Sequence, residues 1–296
     1  MTCDYHTLKE CWVGRAYSPD LVDDEFVKQI LTETEEDLVG LSNILEGFGV
    51  TVKRPDYTNV DTTKRPQLLF PRHHLKKING KLYIGGEEQD IDNWLDLLDN
   101  RDTYITLDNL NAASIIKANC KVIIDANATT RERALYLKRG NPEIEVVYQP
   151  LSCRKFDSNK HTNDVWTIIK EGVIISTPSG ANSTLETLFP DWDILYLDYK
   201  DRDLKDLADS KKILWSPNQI PPQYRRWVGY SPETFFDVNC LAVDETNVLV
   251  TRYNKKVFDF LDKHGVTAHE VPLRHRYLWD GGLHSLTFDY YREPCE

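Results

Sequence analysis

The sequence predicts an α+β fold assembled from repeats of a β-hairpin, a helix and a strand. Two stretches carry this reading. Residues 165–169 (Val-Trp-Thr-Ile-Ile) and 173–176 (Val-Ile-Ile-Ser) are apolar, β-branched runs separated by Lys170-Glu171-Gly172. Residues 239–243 and 248–251 repeat the pattern around a turn near Asp244–Asn247. Each hairpin is followed by a helical pattern and another apolar run. Hairpins mixed with helices point to α+β rather than a doubly wound parallel sheet. Two copies are clear and three more are weaker, which suggests internal structural repetition.

In chain order, Cys11-Trp12-Val13-Gly14-Arg15-Ala16-Tyr17 reads as a short strand. A helix follows over Asp23–Phe48. Phe26, Val27, Ile30, Leu31, Leu38, Leu41, Ile44, Leu45 and Phe48 keep one apolar face at helical spacing. The acidic run Glu33, Glu35, Glu36, Asp37 reads as its solvated face. Gly47 and Gly49 mark its end, and Val50-Thr51-Val52 reads as a strand. Asn79-Gly80 is a tight-turn signal, since both residues tolerate positive φ, and Leu82-Tyr83-Ile84 is the strand after it. After the hairpin at 165–176 come a helix near Ser183–Phe189 and a strand at Ile194–Leu197. After the hairpin at 239–251, Asn254 can cap a helix carrying Val257, Phe258 and Leu261, Gly265 stops it, and 266–273 returns as a strand.

Length and charge narrow the function classes. The 296 residues contain no Pro/Gly/Ser-rich linker and no low-complexity run, so residues 1–296 read as a single domain. The net charge of −11 opposes nucleic acid as a partner, since an acidic chain repels phosphate outside any basic face. Lys76-Lys77 and Arg225-Arg226 read as solvated surface. Six scattered cysteines form no Cys-x-x-Cys pair, His73-His74 is isolated, and neither pattern predicts a metal site. The N-terminal segment lacks an apolar core, and no apolar run approaches the ~20 residues of a membrane helix. A reducing, cytoplasmic setting without a membrane is the expectation. No dinucleotide, P-loop, Gly-x-Ser-x-Gly or His-Glu-x-x-His string is present, and no cofactor is expected.

Four stretches, in order, resemble the arginine:glycine amidinotransferases of the guanidine-modifying (pentein) superfamily. They are Val13-Gly14-Arg15-Ala16-Tyr17, then Phe70-Pro71-Arg72 with Ile78-Asn79-Gly80-Lys81-Leu82, then His161-Thr162-Asn163 before the hairpin at 165–176, and lastly Trp279-Asp280-Gly281-Gly282-Leu283-His284-Ser285-Leu286-Thr287-Phe288-Asp289. The resemblance covers nearly the whole chain and is least clear over 86–101 and 201–230. It implies a five-bladed β/α-propeller of ββαβ modules around a narrow channel, and a homodimer as one assembly.

The resemblance also implies a chemistry. In the family a cysteine thiolate attacks the guanidinium carbon of arginine, a histidine shuttles protons, and carboxylates clamp the guanidinium by charge-assisted hydrogen bonds. The nucleophile position, after Gly281-Gly282-Leu283-His284, is Ser285. The family histidine is retained as His161, but the aspartate two residues on is Asn163. Asp164 follows, on the opposite face of an extended chain. The aspartate of the family's Pro-Arg-Asp segment falls at His73. Its Asp-Ala-Ala-Asp segment falls at Asn111-Ala112-Ala113-Ser114, although the nearby Asp108 could supply one acid after a small shift, and Asp125 is a second acid that could turn inward. An arginine expected after the first hairpin falls near Gly180.

Thus the family's catalytic positions are His161, Ser285 and Ser114, and its substrate-binding positions are His73, Asn111, Asn163 and His284. Three readings follow, the last of them a purely structural or assembly role. One is a pseudoenzyme that keeps the fold, has lost amidino transfer, and binds a small polar ligand in the channel or a protein partner. The second is an active enzyme with another substrate or nucleophile, for which Cys240 and Cys153 are candidates. Cys240, inside an apolar run, reads first as a buried structural residue.

Overall fold

The computed structural model describes residues 2–58, 60–85, 88–98, 103–108, 110–151, 165–177, 183–198, 220–229 and 236–293. Among the described residues, fifteen strands form five three-stranded sheets. Four are built from consecutive chain: β3 (Leu75–Ile78), β4 (Lys81–Ile84) and β5 (Thr103–Thr106); β6 (Ile115–Ala118), β7 (Lys121–Asp125) and β8 (Glu145–Gln149); β9 (Trp166–Lys170), β10 (Val173–Ser176) and β11 (Asp193–Tyr196); β12 (Leu241–Ala242), β13 (Asn247–Val250) and β14 (Thr267–Glu270). In each, the first two strands pair antiparallel and the third pairs parallel to the second. The parallel return needs a crossover, and a helix supplies it.

The fifth sheet joins the chain ends. β15 (Thr287–Glu293) pairs antiparallel with β1 (Thr7–Val13), which pairs parallel with β2 (Thr51–Lys53). Helix α1 (Glu25–Gly47) makes its crossover. Among the described residues the other helices are α2 (Pro71–His74), α3 (Glu88–Leu95), α4 (Arg131–Gly140), α5 (Ser183–Leu188), α6 (Lys255–Lys263) and α7 (Arg276–Trp279). Five sheets of one connectivity make a mixed α+β fold with a five-module, propeller-like arrangement.

Local chemistry sets the element ends. The Asp24 carboxylate accepts the Val27 N–H at 3.0 Å and caps α1, and Gly49 leaves it with φ +77°. Asn79 (φ +50°) and Gly80 (φ +78°) turn β3 into β4. Asn254 caps α6 through the Lys256 N–H at 3.1 Å, and Gly265 (φ +67°) follows its end. Val27, Ile30, Leu31, Leu38, Leu41 and Leu45 of α1 are buried in a core with Val13, Leu249, Val271 and Leu283.

Four sequence expectations are corrected. The first strand lies at Thr7–Val13, so Gly14–Tyr17 continues beyond it. Gly14 leaves the ladder because its Cα passes the Leu69 carbonyl so closely that a Cβ would lie 2.3 Å from the oxygen. The last return strand is confined to Thr267–Glu270. Lys76-Lys77 is not solvated surface: it belongs to β3, Lys76 is buried against Asp4 (Nζ–Oδ2 2.8 Å), and the Lys77 ammonium lies 3.5 Å from the centre of the Tyr290 ring. Nor is the acidic face of α1 merely solvated. Glu33 pairs with His275 at 2.7 Å, Glu35 with Arg54 at 2.7 Å, and Glu36 and Asp37 with Arg274 at 2.7 and 2.8 Å. This acidic stripe pins the loop before α7 onto α1.

Arg225 and Arg226 are exposed, as the sequence suggests. Among the described residues, no helix is long and apolar enough to cross a membrane.

Candidate functional site

The segment from Trp279 to Ser285 is held from three sides. The Trp279 indole N–H donates to the Thr34 hydroxyl of α1 at 2.9 Å. Asp280 turns the chain with φ +47°. Gly281 and Gly282 then pass too close to their neighbours for any side chain. A Cβ on Gly281 would lie 2.8 Å from the Phe70 ring, and one on Gly282 would lie 2.7 Å from the Asn239 Cβ. This close approach, rather than phosphate binding, is the use the structure makes of the two glycines.

Ser285 is buried and forms a reciprocal pair with Asn239. The Ser285 peptide N–H donates to Asn239 Oδ1 at 3.0 Å, and Asn239 Nδ2 donates to Ser285 Oγ at 2.9 Å. The Ser285 hydroxyl in turn donates to Asn239 Oδ1 at 3.2 Å. An asparagine amide does not accept a proton near neutral pH, so Ser285 has no base in its pair.

His284 takes another role. Its N–H donates to the Asn239 carbonyl at 3.3 Å, and its own carbonyl accepts from Arg72 Nε at 3.1 Å. Its ring borders a cavity of about 20 Å³ that Asp4, Trp166, Thr167, Ala242 and Arg292 also line. Burial, reinforced by the charge of Arg72, holds the imidazole well below its usual range and therefore neutral at pH 7.

Behind this segment lies a buried ionic cluster. Arg72 pairs with Asp289 and also donates through Nε to the Thr287 carbonyl at 3.1 Å. Asp289 accepts from Arg292 Nε at 2.7 Å. Burial alone would raise the Asp289 carboxyl, but Arg292 and Arg72 outweigh it and hold it well below the carboxylate range. Asp4 accepts from Lys76 at 2.8 Å and from the Lys117 N–H at 2.9 Å, with the Lys117 ammonium at 3.4 Å. Burial opposes its ionisation too, and the two lysines again prevail. Burial brings Lys76 down to about 8 against the pull of Asp4.

His73 is half-buried in α2 and stacks on Phe70, with ring centres 5.2 Å apart and planes 13° from parallel. Phe70 is the ring against which Gly281 packs, so one aromatic side chain links His73 to the Gly281–Ser285 segment. The Arg65 guanidinium lies 4.2 Å from the centre of the same ring. A Cβ on Gly229 would lie 2.7 Å from Arg65 Nη2, so Gly229 leaves the space the guanidinium fills.

The turn Ala112–Ser114 packs beside α2. Ser114 is fully buried, and its hydroxyl is used locally. It donates to the Asn111 carbonyl at 2.6 Å and shares a 2.6 Å hydrogen bond with Thr129. Of the two acids that could have restored a carboxylate, Asp108 is exposed, and Asp125 accepts the N–H groups of Asn127 at 2.9 Å and Leu151 at 3.1 Å. Ser285 and His284 thus share one segment, His73 reaches it through Phe70, and the turn carrying Ser114 packs beside the helix that carries His73. His161, Asn163, Gly180 and Cys153 lie outside the described residues.

The thiols offer no substitute among the described residues near this region. Cys240 is buried as expected, and burial pushes it up to about 12; Cys11 is pushed up to about 12 by burial and the charge of Asp289. No group of three or more His, Cys, Asp or Glu among the described residues could hold a metal ion.

Sequence reasoning missed Asn239, Arg65, Asp4 and Lys76. Arg72 and Asp289 did stand inside the family-like stretches, but their pairing spans 217 positions and no local pattern announces it.

No family model matches the chain, and no curated protein matches it. Solved structures do. SxtG, an amidinotransferase from Microseira wollei in the saxitoxin biosynthetic pathway, is 15% identical with a TM-score of 0.74, over 100% of this chain and 97% of that one. The inosamine-phosphate amidinotransferase StrB1 from Streptomyces griseus is 16% identical with a TM-score of 0.71, over 100% and 97%. DDAH from Pseudomonas aeruginosa, solved as a cysteine-to-serine mutant complexed with citrulline, is 13% identical with a TM-score of 0.65, over 96% and 100%. At these identities the likeness speaks to architecture, and it agrees with the five sheets and their shared connectivity: the chain has the amidinotransferase-like pentein fold.

Proposed function

We propose that this protein keeps the pentein fold without amidino transfer and acts by binding, either a small polar ligand or a protein partner. The observation that carries this reading is the Ser285–Asn239 pair. A serine lacks the acidity of a thiol, and the amide to which its hydroxyl is tied cannot take its proton. The neighbouring family positions support it. Ser114 spends its hydroxyl on Asn111 and Thr129, and His73 stacks on Phe70 where the family has a carboxylate. Each charged hydrogen bond lost to a guanidinium is worth about 1.5–3 kcal/mol, so losing several weakens arginine binding by orders of magnitude.

A second reading, an active enzyme acting on a different substrate, draws on Arg65. A guanidinium against the ring that borders the Gly281–Ser285 segment favours an anionic ligand over a cationic one. A closed propeller, a homodimer and a cytoplasmic location belong to this proposal as well, on the strength of the five repeated sheets, the family resemblance and the scattered free cysteines.

The test is amidino transfer itself. The purified protein and a Ser285→Cys variant are incubated with arginine and glycine, and ornithine is followed by mass spectrometry. Neither protein should release ornithine above background. Turnover by the unmodified protein would refute the reading, and turnover by the cysteine variant alone would mean that Ser285 by itself silences an intact site.

A further inference from the structure

The interior cluster contains more positive than negative charge. Arg72, Lys76, Lys117 and Arg292 are four cations, each at most 4% exposed, and they face two carboxylates, Asp4 and Asp289. Both carboxylates are already engaged, Asp4 by two lysines and Asp289 by two arginines. A surplus of buried positive charge is unfavourable unless something compensates it.

The cavity of about 20 Å³ beside His284 adjoins this surplus. It has room for one species the size of a water molecule. Its walls mix the apolar Ile116, Ile168 and Ala242 with hydrogen-bond donors. Trp166 is 1% exposed, and its indole N–H has no hydrogen-bond partner among the described residues. Arg292 donates to Asp289, to the Ala242 carbonyl at 2.8 Å and to the His6 carbonyl, which uses three of its five N–H groups. The His284 Nδ1 is likewise buried without a partner, and a neutral imidazole can present an N–H there. The one acid on the wall, Asp4, is neutralised by Lys76 and Lys117.

We propose that this cavity is a binding site for a single monatomic anion of halide size, held by the Trp166 indole N–H and the remaining N–H groups of Arg292, and balancing the surplus charge of the cluster. A cation is disfavoured by the same surplus. Water is the competing occupant, since it fits the volume but leaves the charge unbalanced. The site is separate from the Ser285–Asn239 pair and does not depend on the binding function proposed above.

The test is thermal unfolding of the full chain in sodium chloride and in sodium gluconate at matched ionic strength and pH, because gluconate is too large to enter. A specific ligand of the native state stabilises by mass action. The melting temperature should rise by roughly 2 °C per tenfold increase in chloride above the dissociation constant and stay level in gluconate. Trp166→Phe keeps the ring and removes the donor, so it should flatten the chloride dependence. If that variant folds poorly, crystals of the unmodified protein carry the test. Bromide soaked into crystals should give an anomalous scattering peak against Trp166 and Arg292. Identical melting curves in the two salts, or a cavity without a bromide peak in crystals that show bromide elsewhere, would overturn the proposal in favour of a water.

Discussion

Gly282 and Asn239 approach so closely that a Cβ on the glycine would lie 2.7 Å from the asparagine Cβ and 2.8 Å from its carbonyl oxygen. Asn239 cannot retreat without losing its hydrogen bonds to Ser285. Gly282→Ala is therefore expected to destabilise the protein by about 1–3 kcal/mol, the usual range for overpacking. Gly40, in the middle of α1, is the control, because a Cβ there would meet nothing within 4 Å. Gly40→Ala should stabilise by about 0.5–1 kcal/mol, since alanine is the better helix former. Denaturant unfolding of both variants checks the pair of signs.

Removing the Asp4 charge leaves Lys76 and Lys117 facing each other without a counter-ion. Asp4→Asn should cost about 3–5 kcal/mol, the range for breaking a buried pair from one side. Adding Lys76→Met should recover part of that loss, since it removes one of the stranded charges. A double-mutant cycle by urea unfolding measures the coupling. Additive effects would show that the pair contributes nothing specific.

Acid should destabilise the protein through its histidines before its carboxylates. His284 and His275 are both held below the ordinary histidine range, chiefly by burial, although Glu33 opposes the shift at His275. The unfolded chain then binds more protons than the native one as pH falls through about 6.5, so stability is lost from there downward. His284→Gln should reduce the slope of stability against pH between 7 and 5. Asp4 and Asp289, whose carboxyls are held low, add their loss only at more acid pH, below about 4, where the unfolded carboxyls take up protons that the native pairs still refuse.

Alkaline pH brings opposing effects. Lys76 is lowered to about 8 in the fold, so the unfolded chain holds the extra proton between that value and about 10.4, and stability rises with pH across this window. Cys11 and Cys240, both pushed up to about 12, do the reverse above about 8.5, where the unfolded thiols ionise first. Iodoacetamide labelling with peptide mapping reads the thiols directly. Exposed Cys120 should be modified well before Cys11 or Cys240. Fast labelling of Cys240 would reopen it as a nucleophile.

What the sequence determined by itself is local. The apolar runs and turn chemistry of the hairpins at 165–176 and 239–251, the apolar stripe of α1, and the caps at Asn254 and Gly265 each arise from interactions within a few residues, so each could be read before folding. The family-like stretches likewise named Ser285, His284, His73, Asn111 and Ser114, because a motif is a local string. The tertiary structure alone decided what those residues touch. That Asn239 occupies the Ser285 hydroxyl is a contact across 46 positions, and Lys76 reaches Asp4 across 72. A pair of lysines in sequence announces charge but no partner, and charge without a partner reads as surface. Only the closing of the chain ends through β15 and β1, which sets Asp289 and Arg292 against Arg72, turns that charge into an interior cluster. Burial in low dielectric then makes each charge depend on its neighbours, which is why the chemistry of this site is a property of the fold and not of any one segment.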